Sequence, residues 1–284
     1  MDVKTLARKI SLIENEADGF EELLSSLSTG KKSLVIGITG APGAGKSTLV
    51  DALIGQLVSS NKKVAVLCVD PSSPFNLGAV LGDRIRMSSW YTNPNVFIRS
   101  LATRGSLGGL HPKIIEITDL LQSAGFDYII VETVGVGQSE IEIAGLADVT
   151  VVVVVPEGGD EVQTMKAGLM EIADIFVVNK SDRHNADLFV KNLQSMSRHV
   201  PVLKTIASEN KGIKELATTI EEVEAKHLEN DHKYWLLTEK AYQLIAKRRM
   251  GELRREELMK EIKSEFEKGS FNLYEFTSRF TPHA

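Results

Sequence analysis

The residues that most constrain this chain are Gly40-Ala41-Pro42-Gly43-Ala44-Gly45-Lys46-Ser47, which fit the pattern G-x-x-x-x-G-K-[ST]. The run Leu34-Val35-Ile36-Gly37-Ile38-Thr39 precedes them and reads as a short buried strand. Ser47-Thr48-Leu49-Val50-Asp51-Ala52-Leu53-Ile54 follows and reads as the start of a helix. A helix N-terminus presents unpaired N–H groups and a partial positive charge, so it favours an anion. The glycines let backbone amides of the loop close around a β-phosphate. Lys46 is then expected to reach β- and γ-phosphate oxygens, and the Ser47 hydroxyl to sit on Mg²⁺. The plainer alternative is a Gly-rich turn without a ligand; the strand and helix on either side weigh against it.

A second motif points to the base. Asn179-Lys180-Ser181-Asp182 fits N-K-x-D and follows the apolar run Ile175-Phe176-Val177-Val178. An ionised carboxylate accepts two hydrogen bonds at once, and guanine offers N1–H and its 2-amino group side by side. Adenine lacks that pair. Charged hydrogen bonds contribute roughly 1.5–3 kcal/mol each, so two of them discriminate by about hundreds to ten-thousand-fold. Asn, Lys, Ser and Asp also suit a plain solvated turn. At a strand end, downstream of a phosphate loop, the motif favours GTP over ATP.

Composition narrows the class. The chain has 284 residues, 43% apolar and 25% charged, ordinary for a globular protein of one domain with extensions. A net charge of −5 implies no general attraction to nucleic acid. Cys68 is the single cysteine, so no intrachain disulfide forms, which suits a reducing cytoplasm. It lies within Val64-Ala65-Val66-Leu67-Cys68-Val69 and is expected in the core. No basic stretch followed by an apolar run marks a signal peptide at the start, and the longest apolar run, residues 149–155, is too short to span a bilayer. A cytoplasmic protein without membrane or nucleic-acid partners is the expectation.

Along the chain, residues 1–30 carry Leu6, Ile10, Ile13, Phe20, Leu23, Leu24 and Leu27 near helical spacing, an N-terminal helical extension. Residues 31–225 alternate β-rich runs with helical segments. Strands are expected at 34–39, 64–69, 96–100, 128–132, 149–155, 175–179 and 201–205. Several are apolar throughout, as strands buried on both faces of a parallel sheet must be. The predicted architecture is a doubly wound α/β domain with a mostly parallel sheet and its ligand at the carboxyl ends of the strands. Residues 226–284 are charge-rich with apolar residues distributed as on helices, a C-terminal helical segment.

Three more stretches lie at strand ends. Asp70 closes one strand and is expected to hold Mg²⁺ or its water; Asp83 is a second candidate, with a surface ion pair to Arg84 as the alternative. Two acids suffice, because Mg²⁺ keeps waters and phosphates as its other ligands. Glu132-Thr133-Val134-Gly135 stands where nucleotide hydrolases carry D-x-x-G. Glu132 is placed to orient a magnesium-bound water, and the Gly135 amide to sense a γ-phosphate. The acidic stretch 156–166 reads as a moving loop or as a helix start favoured by the dipole. Ras-like enzymes follow their glycine with a glutamine that orients the attacking water; here Val136 follows, and Gln138 is the nearest substitute. Slow intrinsic turnover, raised by a partner, is expected. Arg84, Arg86, Arg104 and Lys166 are candidates for stabilising transition-state charge.

Taken together, GAPGAGKST (40–48), VDPSSPFNLGAVLGDRIRM (69–87), TRGSLGGL (103–110), ETVGVGQSE (132–140), PEGGDEVQTMKAG (156–168) and NKSD (179–182) resemble the MeaB/ArgK group of P-loop GTPases. The resemblance runs from about residue 5 to residue 220. It implies a GTPase accompanying an adenosylcobalamin-dependent acyl-CoA mutase of the methylmalonyl-CoA type, gating cofactor loading and protecting the mutase. It also implies a homodimer built partly through C-terminal helices. Matched by position, Gly40, Ala41, Pro42, Gly43, Ala44, Gly45, Lys46, Ser47 and Thr48 bind phosphates. Ser47, Asp70, Asp83 and Glu132 surround Mg²⁺, and Asn179, Lys180 and Asp182 bind guanine. Ile206-Ala207-Ser208 falls where the group has a Ser-Ala-x base-binding turn, with Ile206 in place of Ser. Phe75-Asn76-Leu77 departs from the small polar residues common at that position. Three other readings remain: a nickel-delivery GTPase, an ATP-dependent kinase linked to amino-acid transport, and a nucleotide-locked scaffold that rarely turns over.

Overall fold

A computed structural model of the chain describes residues 2–27, 33–70, 87–103, 110–135, 140–156, 168–197, 199–228, 232–250, 253, 255–269 and 271–280. Among them seven strands form one parallel sheet: β1 Leu34–Thr39, β2 Val64–Asp70, β3 Val96–Ala102, β4 Tyr128–Glu132, β5 Val149–Val154, β6 Ile175–Val178 and β7 Val202–Lys204. Their order is β3-β2-β4-β1-β5-β6-β7. Strands β1, β2, β4, β5 and β6 are buried at every residue, which is why they read as continuous apolar runs rather than alternating ones. Two strands run past their expected ends because Asp70 pairs with Ala102 across the β2–β3 ladder.

Helices cover both faces. The face built from Ile36, Val66, Ile130, Val151 and Val177 packs against α3, Lys46–Ser59, and α7, Ile213–Leu228. The opposite face, with Val35, Leu67 and Val131, packs against α1, Val3–Glu14, and α4, Ile114–Ser123. A third apolar cluster joins Val152, Val154 and Phe176 to α6, Ala186–Met196. Short helices α2, Phe20–Ser25, and α5, Leu169–Ile172, complete this part.

The N-terminal extension is part of this packing. In α1 the Asp2 carboxylate caps the first turn by accepting from the Thr5 amide at 2.9 Å. Leu6, Ile10 and Ile13, at i, i+4 and i+7, then form one stripe with at most 2% exposure. Polar ties reinforce it. Arg99 on β3 pairs with Glu14 and reaches the Ser11 hydroxyl at 3.1 Å, and Lys113 pairs with Glu16.

At the strand starts, three aspartates cross-link neighbours. Asp127 accepts from the Lys63 amide, Asp148 from Val35 and Asp174 from Thr150, at 2.9, 2.9 and 2.7 Å. His227, in the last turn of α7, joins two of them. Its Nδ1 lies 2.9 Å from the Asp148 carbonyl oxygen and its Nε2 3.3 Å from the Asp174 carboxylate.

The chain divides into two compact units, Met1–Leu237 and Thr238–Ala284. Helix α8, His232–Met250, crosses the division; α9, Arg255–Glu267, and α10, Leu273–Ser278, lie in the second unit. That unit centres on Phe276, 2% exposed, whose ring stands 5.8 Å from Phe271 and 5.4 Å from Phe280. Arg279 covers the Phe276 ring and pairs with Glu265.

The Asp174 contact, and then the Asp148 carbonyl, raise the His227 pKa above its usual 6.5. A raised folded-state pKa contributes stability that is fully present below the unfolded value and is lost as pH rises through the folded one. Urea midpoints measured across this interval are expected to fall with rising pH for the wild type, and His227→Gln is expected to flatten the fall. Identical profiles for both proteins would remove His227 as the cause.

Candidate functional site

The phosphate-loop motif occupies the link between β1 and α3, as the strand–loop–helix pattern requires. Lys46 is 7% exposed, and its ammonium donates to the Gly40 and Ala41 carbonyl oxygens at 2.8 and 3.1 Å. A buried ammonium that stays charged must be surrounded by acceptors, so the loop carries a fixed positive charge at its centre. Opposite it stands Gly135, with φ +80°; a Cβ there would overlap Lys46 Nζ and come within 2.6 Å of the Gly40 carbonyl oxygen. The segment after β4 is thus seated on the phosphate loop.

The carboxylates are brought together by strand parity. Side chains of alternate residues share a face. Val64, Val66 and Cys68 lie in the cluster packed on α3, and so do Tyr128 and Ile130. Continuing each series by two residues puts Asp70 and Glu132 on that same face, beside the first turn of α3. The β2–β4 register supports this, since Cys68 pairs with Glu132. The Ser47 hydroxyl donates to Glu132 Oε1 at 2.7 Å. Asp70 and Glu132 are 2% and 3% exposed. Buried carboxylates need hydrogen bonds or cations around them. A hydroxyl and two carboxylates form an all-oxygen donor set, which fits Mg²⁺ with waters and phosphate oxygens as its remaining ligands. Among the described residues no group of three or more His, Cys, Asp or Glu side chains gathers into a protein-only metal cage. Asp83, Gln138, Arg84, Arg86, Arg104 and Lys166 lie outside the described residues.

The base motif is joined to the same loop. Asn179 is 2% exposed and follows β6. Its Nδ2 donates to the Ala44 carbonyl oxygen at 2.9 Å. Its Oδ1 accepts from the Thr205 hydroxyl at 3.1 Å and from the Ala207 amide at 3.2 Å. Lys180 Nζ donates to the Gly43 carbonyl oxygen at 2.7 Å. This approach needs Gly45: its φ is +90°, and a Cβ would overlap the Asn179 amide nitrogen. Asp182 is exposed in the turn after this motif's strand.

The Ile206-Ala207-Ser208 turn lies beside this motif. Paired hydrogen bonds between Ile206 and Lys211, both 3.2 Å, close it, and Asn210 takes the left-handed conformation with φ 56°. The Ala207 amide is directed at Asn179 rather than outward. Glu209, 2.6 Å from Lys211, raises the Lys211 pKa above its usual range, and the Asp182 charge adds to this.

Sequence reasoning did not single out Thr205. The residue is 1% exposed, and its hydroxyl donates to Asn179. Its signal was slight: a threonine at a strand exit just ahead of the suspected turn. Trp90, whose indole N–H donates to Asp51 on α3 at 2.7 Å, also carried no pattern of its own.

Comparison with known proteins identifies the family and a shared fold. The family described as Methylmalonyl Co-A mutase-associated GTPase MeaB matches residues 6–267. A protein of Pyrococcus abyssi named as a GTPase is 49% identical over 234 residues, which are 78% of this chain and 72% of that protein. A Caenorhabditis elegans protein named methylmalonic aciduria type A homolog, mitochondrial, is 42% identical over 178 residues, 62% of this chain and 44% of that protein. Among solved structures, one titled LAO/AO transport system kinase has a TM-score of 0.67 and 23% identity, covering 99% of this chain and 97% of its own. That likeness concerns the fold.

Thr205→Val keeps the shape of the side chain and removes the hydroxyl from Asn179. A lost hydrogen bond of this type costs about 1 kcal/mol, so GDP affinity measured by calorimetry is expected to fall roughly five- to tenfold. Unchanged affinity would show that Asn179 keeps its place without Thr205.

Proposed function

The chain belongs to the family of methylmalonyl-CoA mutase-associated GTPases, and from that premise we propose that it binds GTP and GDP with Mg²⁺, hydrolyses GTP to GDP and phosphate, and does so in the service of an adenosylcobalamin-dependent acyl-CoA mutase. The observation that carries this reading is the junction of the two motifs. Asn179 and Lys180 are hydrogen-bonded to the Ala44 and Gly43 carbonyls of the phosphate loop. One ligand bearing both a purine and a phosphate chain spans such a site.

In this reading each residue has a chemical task. Amides of Gly40–Thr48 and the start of α3 hold the α- and β-phosphates. Lys46 supplies a positive charge to the β/γ bridge, where negative charge grows as the bond breaks. Ser47, Asp70 and Glu132 hold Mg²⁺, which supplies charge neutralisation at the phosphates. The Gly135 amide faces the γ-phosphate side of the loop. Asp182 accepts two hydrogen bonds from guanine, while Asn179 and Lys180 fix the turn that presents it. Val136 stands where a water-orienting glutamine is found in Ras-like enzymes. Turnover by the isolated chain is therefore slow, and the mutase completes the site.

The family description and the name of the nematode relative support the mutase as client. A homodimer is supported by the apolar side chains that α8 and α9 expose, among them Tyr242 at 70%, Ile245 at 53%, Met259 at 67% and Phe266 at 69%. No helix among the described residues is long and apolar enough to cross a membrane.

Two outcomes test the reading. Asp182→Asn exchanges an acceptor for a donor, so calorimetry is expected to show guanine affinity falling at least about a hundredfold, with xanthine nucleotides preferred. An unchanged base preference would assign base reading to another residue. Adding a purified adenosylcobalamin-dependent methylmalonyl-CoA mutase to the protein is expected to raise phosphate release from GTP by about a hundredfold or more, the scale of one supplied charge or water-orienting group. Equal rates with and without it would remove the client from the proposal.

A further inference from the structure

Two threonines lie just behind the nucleotide-facing residues. Thr39 is the last residue of β1 and leads into Gly40; Thr133 is the first residue after β4 and leads into Val134 and Gly135. Both are buried, at 0% and 3% exposure, and their hydroxyl oxygens stand 2.9 Å apart. The Thr133 amide donates to the Ile38 carbonyl oxygen at 3.0 Å, which extends the β1–β4 ladder beyond its last register pair, Ile38 with Glu132. Parity places Thr133 on the face opposite to Glu132. The hydroxyl pair therefore joins the two strand exits from the side away from Ser47.

The segments that the two threonines lead into differ in their expected ligand. The loop after Thr39, with Asn179 and Asp182, holds the parts of the nucleotide common to GDP and GTP. The segment around Thr133 carries Glu132, bonded to Ser47, and Gly135, seated against Lys46 and Gly40. In the GTPase reading Glu132 holds Mg²⁺ with Ser47, and the Gly135 amide faces the γ-phosphate.

We propose that Thr39 and Thr133 are a positioning pair for GTP hydrolysis: their hydroxyl contact sets the spacing between the phosphate loop and the Glu132–Gly135 segment. The inference rests on the GTPase reading. Neither threonine touches the reacting atoms; each acts through the residue next to it in the chain. A displacement of about 1 Å at reacting groups lowers rates as much as a hundredfold. Loss of one hydroxyl is therefore expected to appear in kcat and in the preference for GTP over GDP, while GDP affinity holds.

The test compares four proteins, the wild type, Thr133→Val, Thr133→Ser and the double variant Thr39→Val with Thr133→Val, in the presence of the mutase. Thr133→Val leaves the Thr39 hydroxyl facing a methyl group and is expected to lower both Tm and kcat, kcat by about tenfold. Its GDP affinity is expected to stay within about twofold, because uniform binding is untouched. Thr133→Ser restores the hydroxyl and is expected to recover kcat. Replacing both partners by apolar groups of the same shape is nearly neutral for stability. The double variant is therefore expected to recover Tm but not kcat, nor the ratio of GTP-analogue to GDP affinity. Recovery of Tm and kcat together in the double variant overturns the inference, since the pair would then serve packing alone. Wild-type turnover matched by Thr133→Val overturns it too and leaves the GTPase reading intact. No turnover in the wild type removes that reading and this inference with it.

Discussion

Because every strand in the sheet runs the same way, every strand exit falls on one edge, and that edge is where polar chemistry is permitted. The strands themselves are buried on both faces by helices. Charged or hydroxyl side chains within them would lose water without gaining partners. At the exits the chain leaves the apolar layers, and the acids, amides and glycines appear there: Gly40 after β1, Asp70 closing β2, Glu132 closing β4, Asn179 after β6 and Thr205 after β7. The strand order makes neighbours of the first three, since β4 lies between β2 and β1.

The opposite edge does mechanical work. Three aspartates there accept amide hydrogen bonds from adjacent strands and so pin the strand starts. In a parallel sheet every strand must cross over before pairing, so contacts between strand starts close long loops. Fixing register at that edge fixes parity at the other. A one-residue slip of β4 would turn Glu132 away from Ser47 and bring Thr133 to the α3 face. The Asp127 anchor, which ties the start of β4 to that of β2, thus bears on the geometry of a site at the far end of the same strands.

The second constraint is the docking of the base turn on the phosphate loop. Asn179 gathers the Ala44 carbonyl, the Thr205 hydroxyl and the Ala207 amide on one side chain. Each contact is modest, but all are buried, and a buried unsatisfied amide would be destabilising. Gly45 has no Cβ to block the approach. In the proposed function this joint lets affinity for the base and affinity for the phosphates act on one ligand. The apolar side chains exposed on α8 and α9 are given over in that proposal to a second copy.

Much was legible in residue types alone. All seven strands were found; five of them are buried on both faces and so read as apolar throughout, while β3 and β7, with Arg99 and Lys204 among their residues, are partly exposed. The strand–glycine loop–helix unit and the N-K-x-D turn were found because each is local: its residues sit within a few positions of one another, and the backbone requirement of each is written in residue type. Strand ends were less exact. Asp70 and Ala102 extend their strands by pairing with each other, a fact about two segments that neither states alone. The N-terminal helices were visible from spacing, while their attachment through Arg99 and Lys113 was not.

The amino-acid sequence by itself determined which segments are strands and where the G-x-x-x-x-G-K-[ST] and N-K-x-D motifs stand at strand ends. Tertiary structure alone decided that Thr205 holds Asn179 across 26 residues, that Thr39 meets Thr133 across 94, and that Ser47 meets Glu132 across 85. The reason is physical. A hydrogen bond between distant side chains depends on strand order and register. Those are settled by how whole helices and strands pack, and no short window of residue types contains that information.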